Sequence, residues 1–179
     1  MEFPRNRVDW LKTLPKGSVG AEIGVDTGRF SRVILDVVKP RLLWLIDCYE
    51  TQPGVPYNLS DGWYLSRFYA AMRRLRVAWS KGFVRLLCAY SSEAALLIED
   101  DSLDWAYIDA GHTEAEAFMD LQLWYPKIKS GGIVAGHDFI TGVKDVGVVE
   151  AVMEFRRNLR DGPLHVTEER IASFWWVKA

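Results

Sequence analysis

The sequence predicts an α/β fold, a doubly wound, seven-stranded and mostly parallel sheet with an antiparallel C-terminal strand. Short apolar segments without alternation, typical of strands buried on both faces, alternate with amphipathic helical segments along the 179 residues. The last two strand-like segments, 164–167 and 171–177, are joined by a link too short for a parallel crossover, so we expect them to enter antiparallel. No linker, internal repeat or low-complexity segment divides the chain, and we predict a single domain over residues 1–179.

The first predicted unit is a strand, a helix and a second strand. Residues 18–23 are short and apolar, as in a buried strand, and residues 27–38 follow with apolar side chains on one helical face. Lys39-Pro40 ends this helix, because proline cannot donate the helical hydrogen bond. Residues 42–46 form a continuous apolar strand that ends in Asp47.

The middle of the chain begins with a predicted loop at residues 50–62, which contain two prolines and two glycines and no periodicity. Residues 63–79 have apolar side chains at helical spacing and predict a helix. A third strand at 83–88 and a short helix at 91–98 complete this part. With Tyr57, Trp63 and Tyr64 near its end, the loop is a candidate lid over a ligand, or else an ordinary surface loop.

The last part of the chain contains the fourth strand, 103–108, and a helix at 113–128 that opens with the capping-box pattern of Thr113 and Glu116. A fifth strand begins within residues 131–136. An amphipathic helix follows at 146–159, ended by Asp161-Gly162-Pro163, before the two closing strands.

Composition narrows the class of function. The net charge of −2 and the pI near 5.9 are unlike those of a nucleic-acid-binding protein. There is no apolar run of membrane-spanning length and no signal-peptide pattern at the start, so we expect a cytoplasmic protein that acts on a small molecule. Cys48 and Cys88 are too few for a disulfide framework, and we expect both to be buried thiols, with a redox or metal role as the alternative.

Two acidic residues follow neighbouring strands of the predicted sheet. The apolar runs before them end at Asp109 and Asp138, and each has a histidine close by in sequence, His112 and His137. Ligands of open α/β sheets bind outside the carboxyl ends of the strands. The sequence therefore predicts a small-molecule or metal site at this edge.

A glycine-containing turn follows the first strand, where Gly24 and Gly28 allow close approach to a ligand. The spacing is not that of the Gly-x-Gly-x-x-Gly dinucleotide motif. Asp47 ends the second strand, where an acid can accept hydrogen bonds from ribose hydroxyls or can cap the loop. Glu22 lies inside an apolar strand, which is costly unless it is paired, and we expect it to hold a ligand's ammonium group directly or through water.

Four motifs carry a resemblance to a known family. They are Glu22-Ile-Gly24-Val-x-x-Gly28-x-x-Ser31, Leu45-Ile-Asp47, Tyr107-Ile-Asp109-Ala-Gly-His112 and Gly131-Gly132-Ile-Val-Ala-Gly-His137-Asp138. Over about residues 18–140 the chain resembles the class I S-adenosylmethionine-dependent methyltransferases, which have a Rossmann-like fold. More closely, it is similar to macrocin-type O-methyltransferases and cephalosporin-hydroxylase-like proteins.

The resemblance implies S-adenosylmethionine as the cofactor. It places the methionine part at the glycine turn, the ribose at the acid after the second strand, and the adenine near Tyr90-Ser91-Ser92. The residues expected to bind the cofactor are Glu22, Gly24, Gly28, Ser31, Asp47, Cys48, Ser91 and Asp109.

A metal ion is a second expectation. Two carboxylates in one crevice raise each other's pKa unless a proton or cation lies between them, and Mg²⁺ or Mn²⁺ would suit oxygen ligands. The resemblance to metal-dependent relatives implies Asp109, His137 and Asp138 as ligands. Where those relatives have a second acid this chain has His137, which shifts the preference toward Mn²⁺, Zn²⁺ or Fe²⁺ or points into the core instead.

Proton removal from the acceptor is expected from His112 or Asp138, and the alternative for His112 is a structural role at the start of its helix. The basic residues of 67–85 predict a solvated helix face or, as the alternative, an anionic-substrate site.

We expect the protein to catalyse O-methylation of a small hydroxylated molecule, a sugar or natural-product intermediate. A nucleotide-binding or interaction domain without activity and a nicotinamide-dependent oxidoreductase are the competing interpretations. A homodimer would supply the cover that larger relatives build from extra N-terminal helices.

Overall fold

A computed structural model describes residues 3–51 and 60–179. Within these residues the chain forms one seven-stranded sheet with helices on both faces, as predicted. The elements are α1 (Arg7–Leu11), β1 (Val19–Ile23), α2 (Arg29–Val37), β2 (Leu42–Asp47), α3 (Asp61–Ser80), β3 (Val84–Cys88), α4 (Ser91–Ala95), β4 (Leu103–Ile108), α5 (Glu114–Trp124), a 3₁₀ turn (Tyr125–Lys127), β5 (Ile128–Phe139), α6 (Val148–Arg156), β6 (His165–Val166) and β7 (Ala172–Val177).

The strand order is β3-β2-β1-β4-β5-β7-β6. Strands β1 to β5 are parallel, and the order reverses direction between β1 and β4. Strand β7 lies antiparallel to β5 and pairs with the short edge strand β6, so the predicted antiparallel ending is confirmed. The reversal between β1 and β4 opens a crevice at the carboxyl ends of the strands.

Each face of the sheet packs on its own set of helices. Side chains on a strand alternate in direction, so Leu45 and Tyr107 pack with α1, α2 and α3, whereas Ile46 and Ala106 pack with α4, α5 and α6. All four side chains are at most 1% exposed. This burial on both faces is why the strands are apolar without alternation.

The sequence-based prediction of the helix boundaries was wrong in the second half of the chain. The helix expected at 91–98 ends at Ala95, and the helix expected at 113–128 ends at Trp124. Pro126 causes the second difference, because it has no N–H to continue the helix, and the chain passes through a 3₁₀ turn instead. Strand β5 consequently begins at Ile128 rather than at 131–136 and reaches Phe139.

The expectation of two buried thiols was also wrong. Cys48 is partly buried and Cys88 is exposed, and neither is in a disulfide. Cys88 ends β3, which is the edge strand of the sheet, so one side of it has no neighbouring strand. Among the described residues, no helix has the length and apolar character needed to cross a bilayer.

Candidate functional site

A cleft of about 530 Å³ lies at the carboxyl ends of the parallel strands. Gly24, Asp47, Ala89 and Asp109 mark where β1, β2, β3 and β4 reach it. Helices α3 and α5 close its sides. This position is the one predicted from the strand order and the acidic strand ends.

The glycine turn between β1 and α2 is required by close backbone packing. Gly24 has φ +93, and a Cβ there would lie 1.9 Å from the carbonyl oxygen of Asp109. Gly28 has φ +68 and packs against Ala71 of α3. Gly24 borders the cleft and Gly28 does not, so the predicted glycine pair is only half at the cleft.

Asp47 organises the loops around the cleft. Its Oδ2 accepts hydrogen bonds from the backbone N–H groups of Val25 and Asp26, at 3.0 and 2.8 Å, and its Oδ1 accepts one from Tyr49 at 3.0 Å. This is the loop-capping role that the sequence left as the alternative. Burial raises the pKa of Asp47, and the N–H donors oppose that effect. The side chain also lines the cleft, where Oδ1 has capacity for a further donor.

Glu22 and Ser31 lie beneath the glycine turn and outside the cleft lining. Glu22 is 1% exposed and Ser31 is fully buried. Glu22 Oε2 and Ser31 Oγ each lack a hydrogen-bond partner among the described residues. Burial raises the pKa of Glu22 to about 8, against the opposing effect of the nearby Ser31 hydroxyl. A buried acid of this kind is held neutral unless a cation approaches it.

The predicted acidic and histidine residues form one cluster at the ends of β4 and β5. His137 Nδ1 lies 3.1 Å from Asp138 Oδ2 and 3.7 Å from Asp109 Oδ1. His112 Nδ1 lies 3.5 Å from the same Asp138 oxygen. Potential ligand atoms of Asp109, His137 and Asp138 all lie within 4.8 Å of one another. His137 therefore points to the carboxylates rather than into the core.

The backbone of β5 explains how His137 and Asp138 face the same place. Neighbouring residues on a regular strand point to opposite sides. Here Asp138 has φ 53, and the pairing with β7 shifts register between Gly136 and Phe139. This irregularity turns Asp138 back toward His137, at the point where the cluster needs both side chains.

The two carboxyl groups of the cluster differ in protonation. Burial and the charge of Asp138 raise the pKa of Asp109 well above its ordinary value. Burial also acts to raise the pKa of Asp138, but the hydrogen bond from His137 and the charges of both histidines hold it below its ordinary value. Of this pair, Asp109 therefore retains its proton to higher pH, and Asp138 is the carboxyl that ionises first.

Arg7 is a site residue that the sequence analysis missed. It lies on α1, with Nη1 3.9 Å from Asp109 Oδ2 and the guanidinium stacked 4.5 Å from the centre of the Phe30 ring. Its charge opposes the rise that burial causes in the pKa of Asp109 and of Glu22. The signal for α1 was present, since Asn6 is a strong N-cap residue and accepts from the N–H groups of Val8 and Asp9.

The remaining predicted residues border the cleft from the β2 and β3 side. Cys48 and Ser91 line it, and the Ser91 hydroxyl accepts a hydrogen bond from Trp124 Nε1 at 2.7 Å and donates to Asp120 Oδ1. Of the candidate lid, Trp63 and Tyr64 line the cleft, whereas Tyr57 and residues 52–59 lie outside the described part of the chain.

The basic residues of 67–85 divide into two groups. Arg67 pairs with Asp26 at the cleft and stacks on Trp63, and Arg74 donates to the backbone oxygen of Thr27. These two arginines support the glycine turn. The others face solvent, as the solvated-face interpretation predicted; they are Arg73, Arg76, Lys81 and Arg85.

Comparison with known proteins agrees with this geometry. The sequence model of a family described as "Methyltransferase domain" matches residues 21–139. This range begins in β1, ends with β5 and contains the glycine turn, Asp47 and the acidic cluster. No protein of curated function matches the sequence at a significant level.

Solved structures with low sequence identity share the fold along nearly the whole chain. A protein described as an rRNA methylase from Clostridium thermocellum has a TM-score of 0.71 and 12% identity, covering 97% of this chain and 95% of that one. A Streptococcus mutans methyltransferase in complex with SAH, S-adenosylhomocysteine, has a TM-score of 0.68 and 13% identity, with 97% and 96% covered. An O-methyltransferase family protein from Burkholderia thailandensis has a TM-score of 0.64 and 11% identity, with 97% and 55% covered.

Proposed function

Because this chain belongs to the methyltransferase domain family, we propose that it transfers a methyl group from S-adenosylmethionine to a hydroxyl group of a small molecule, such as a sugar or a natural-product intermediate. The observation that carries the proposal is the cluster of His112, His137, Asp109 and Asp138 beside the cleft. Hydroxyl acceptors need their proton removed, and this cluster offers groups for that step.

The cleft has the chemistry required to hold the cofactor. S-adenosylmethionine supplies an electrophilic methyl group on a sulfonium, so the protein's task is alignment and proton removal. We assign the binding role to Gly24, Asp47, Cys48, Ser91 and Asp109, which line the cleft. Glu22 and Ser31 fit a supporting role beneath the turn, because their unpartnered polar atoms and the raised pKa of Glu22 suit a cationic group nearby. Gly28 keeps α3 close to the turn.

Of the two candidate bases, we assign proton removal to His112 and an orienting role to Asp138. Its pKa is held low by the histidines, so it is ionised, and its Oδ2 is within 3.5 Å of His112 Nδ1. We propose that His112 takes the acceptor's proton and that Asp138 orients and stabilises the resulting imidazolium. In this arrangement Asp138→Asn lowers the rate of methyl transfer while leaving SAH affinity within about threefold.

A divalent cation fits the same cluster. Two carboxylates and an imidazole, with ligand atoms within 4.8 Å of one another, suit Mn²⁺, Zn²⁺ or Fe²⁺ better than Mg²⁺. Asp109, His137 and Asp138 would hold the ion, which would lower the pKa of an acceptor hydroxyl. Asp109→Asn tests this assignment: we expect loss of Mn²⁺ binding by titration calorimetry, and full Mn²⁺ binding by the folded variant would remove Asp109 from the ligand set.

The first experiment is calorimetric titration with SAH, with NADH as the control, in the presence and absence of Mn²⁺ or Mg²⁺. Micromolar affinity for SAH without affinity for NADH is the expected result. Absence of SAH binding by the folded protein would contradict the proposal and favour an interaction domain that has kept only the fold. A radiolabelled methyl-transfer screen of hydroxylated small molecules then identifies the acceptor class.

RNA is the second candidate acceptor. Helix α3 contains four arginines and no acidic residue after Asp61, and it exposes Tyr69, Arg73 and Arg76. Clustered cations beside an exposed aromatic ring suit a phosphate backbone and unstacked bases, in spite of the net charge of −2. Bulk RNA included in the same methyl-transfer screen decides between the two acceptor classes.

A homodimer is our proposal for the assembly state, because a second copy would cover the open side of the cleft. Leu96 and Leu97, which follow α4 outside the cleft lining, are 83% and 66% exposed and offer apolar surface for a contact between two copies. Sedimentation of the protein near twice its mass of 20.5 kDa is the expected result. Sedimentation as a monomer at micromolar concentration would contradict it.

A further inference from the structure

One wall of the cleft is a single face of helix α5. Glu116, Met119, Asp120 and Leu123 line the cleft at i, i+3, i+4 and i+7 spacing, so they project from the same side of the helix. The adjacent side of α5 is buried in the core and consists of Ala117, Leu121 and Trp124. The cleft-facing side therefore presents two apolar side chains with two acids among them.

The two acids of this wall differ in what they do. Glu116 is engaged in the capping box at the start of α5, where its Oε2 accepts from Thr113 N at 3.2 Å and from Thr113 Oγ1 at 2.6 Å. Asp120 lies one turn further along, between Met119 and Leu123 in the wall, and has no part in the cap. Asp120 is only 6% exposed, and burying a carboxyl group in the middle of a helix lowers the stability of the fold unless the group is paired or binds a ligand.

A hydrogen-bonded chain orients Asp120. Trp124 Nε1 donates to Ser91 Oγ at 2.7 Å, and the Ser91 hydroxyl donates to Asp120 Oδ1. Burial raises the pKa of Asp120 to about 6, against the opposing effect of Ser91, so the carboxylate is ionised above neutral pH. Since the Ser91 proton is already donated to Asp120, the charged acceptor presented to the cleft at this point is the carboxylate.

The position of Asp120 along the cleft determines which part of a ligand it meets, and this step rests on the proposed function. The reacting end of the cofactor must lie at the β4 end of the cleft, beside Asp109 and His112. The remainder of the ligand then extends past the ends of β1 and β2 toward β3, where Ala89 and Ser91 line the cleft. Met119, Asp120 and Leu123 face this distal end, so they meet the purine.

We infer that Asp120 accepts a hydrogen bond from the 6-amino group of the cofactor's adenine and thereby selects adenine over other purines. The apolar side chains of Met119, Leu123 and Ala89 suit the flat faces of a purine, and an ionised carboxylate suits an amino donor. A 6-oxo purine presents an acceptor at the same position and would be opposed by the carboxylate.

The test compares SAH with S-inosylhomocysteine, which has an oxygen in place of the 6-amino group, by titration calorimetry at pH 7.5. We expect the wild-type protein to bind SAH about 10- to 150-fold more tightly, as for loss of one charge-assisted hydrogen bond in a buried site. Asp120→Asn keeps an acceptor for Ser91 and can donate to a 6-oxo group, so this variant should bind the two ligands within about threefold of each other.

The matched control is Glu114→Gln, which removes the same charge from the exposed start of α5, outside the cleft lining. It should discriminate as the wild type does, and circular dichroism establishes that each variant is folded. Equal wild-type affinity for both ligands, a comparison that needs no variant, would overturn the inference. Wild-type discrimination by Asp120→Asn would also overturn it. If neither ligand binds the wild type, the proposed function fails, and the inference fails with it.

Discussion

Glu22 is a buried carboxyl group whose ionisation should be measurable, because burial raises its pKa to about 8 from 4.5. The folded state therefore holds a proton that the unfolded chain releases above pH 4.5. By proton linkage, the stabilisation from the neutral acid is fully present below pH 4.5 and is lost as the pH rises through 8.

We predict that Glu22→Gln removes this pH dependence. The wild type should lose about 5 kcal/mol relative to the variant between pH 4.5 and pH 8, since each unit of pKa shift corresponds to about 1.4 kcal/mol. Urea unfolding of both proteins across this range measures the difference. Stability curves that stay parallel with pH would show that Glu22 does not titrate with a raised pKa.

Asp47 caps the loops around the cleft, and we propose that it also binds the cofactor. We predict that Asp47→Ala lowers the free energy of unfolding by about 2 to 4 kcal/mol, because three backbone N–H groups lose their acceptor. It should also weaken SAH binding at least tenfold. Asp36→Ala is the control, since Asp36 forms an exposed pair with Arg32 and its loss should cost under about 1 kcal/mol.

Chemical denaturation and SAH titration of the two variants separate the roles of Asp47. A loss of stability with unchanged affinity would leave Asp47 with the loop-capping role alone.

The positions of Asp47, Asp109, Asp138 and His137 at one edge of the sheet could be predicted from the sequence, because the carboxyl ends of parallel strands meet at that edge. The direction of His137 could not, since it depends on the irregular backbone at Asp138.

Among the secondary-structure elements, strand β1 packs so closely against β4 that position 20 has no room for a side chain. A Cβ on Gly20 would lie 2.0 Å from the Trp105 ring, which is fully buried and donates from Nε1 to Ser18 Oγ at 2.9 Å. The ring has no room to move without breaking this hydrogen bond. The glycine is needed here for packing between strands and not for a turn.

We predict that Gly20→Ala destabilises the protein by about 3 kcal/mol, the cost of overpacking a core. The matched control is Gly62→Ala in the first turn of α3, where a Cβ meets no atom within 4 Å, and it should change stability by no more than about 1 kcal/mol. Thermal and urea unfolding compare the two. Equal effects of the two substitutions would show that the close contact between Gly20 and Trp105 does not restrict the side chain at position 20.

Short elements were the ones that sequence reasoning predicted least well. Strands β1 to β4 were predicted within about two residues, because burial on both faces makes them apolar throughout. Helix α1 was missed, although it supplies Arg7 to the site and buries Trp10 completely. Five residues are too few for a helical period to show, and α1 depends on its N-cap and on packing.

For the molecule as a whole, ligand binding and folding should be coupled through the cleft. SAH would contact loops after four different strands, so unfolding requires its release. At a SAH concentration of 100 times Kd, we expect stabilisation of about 2.7 kcal/mol and a rise in Tm of about 5 to 10 °C. Differential scanning calorimetry with and without SAH measures this shift, and an unchanged Tm would contradict binding in the cleft.

The sequence by itself determined the sheet, its order of strands and helices, and the acidic residues at the strand ends, because burial and strand polarity leave a local record in the chain. The tertiary structure alone decided which of these residues meet. Arg7 and Asp109 are separated by about a hundred residues, and Asp120 reaches the cleft only through the packing of α5 beside Ser91. Such contacts depend on how elements pack across the sheet, which no local pattern contains.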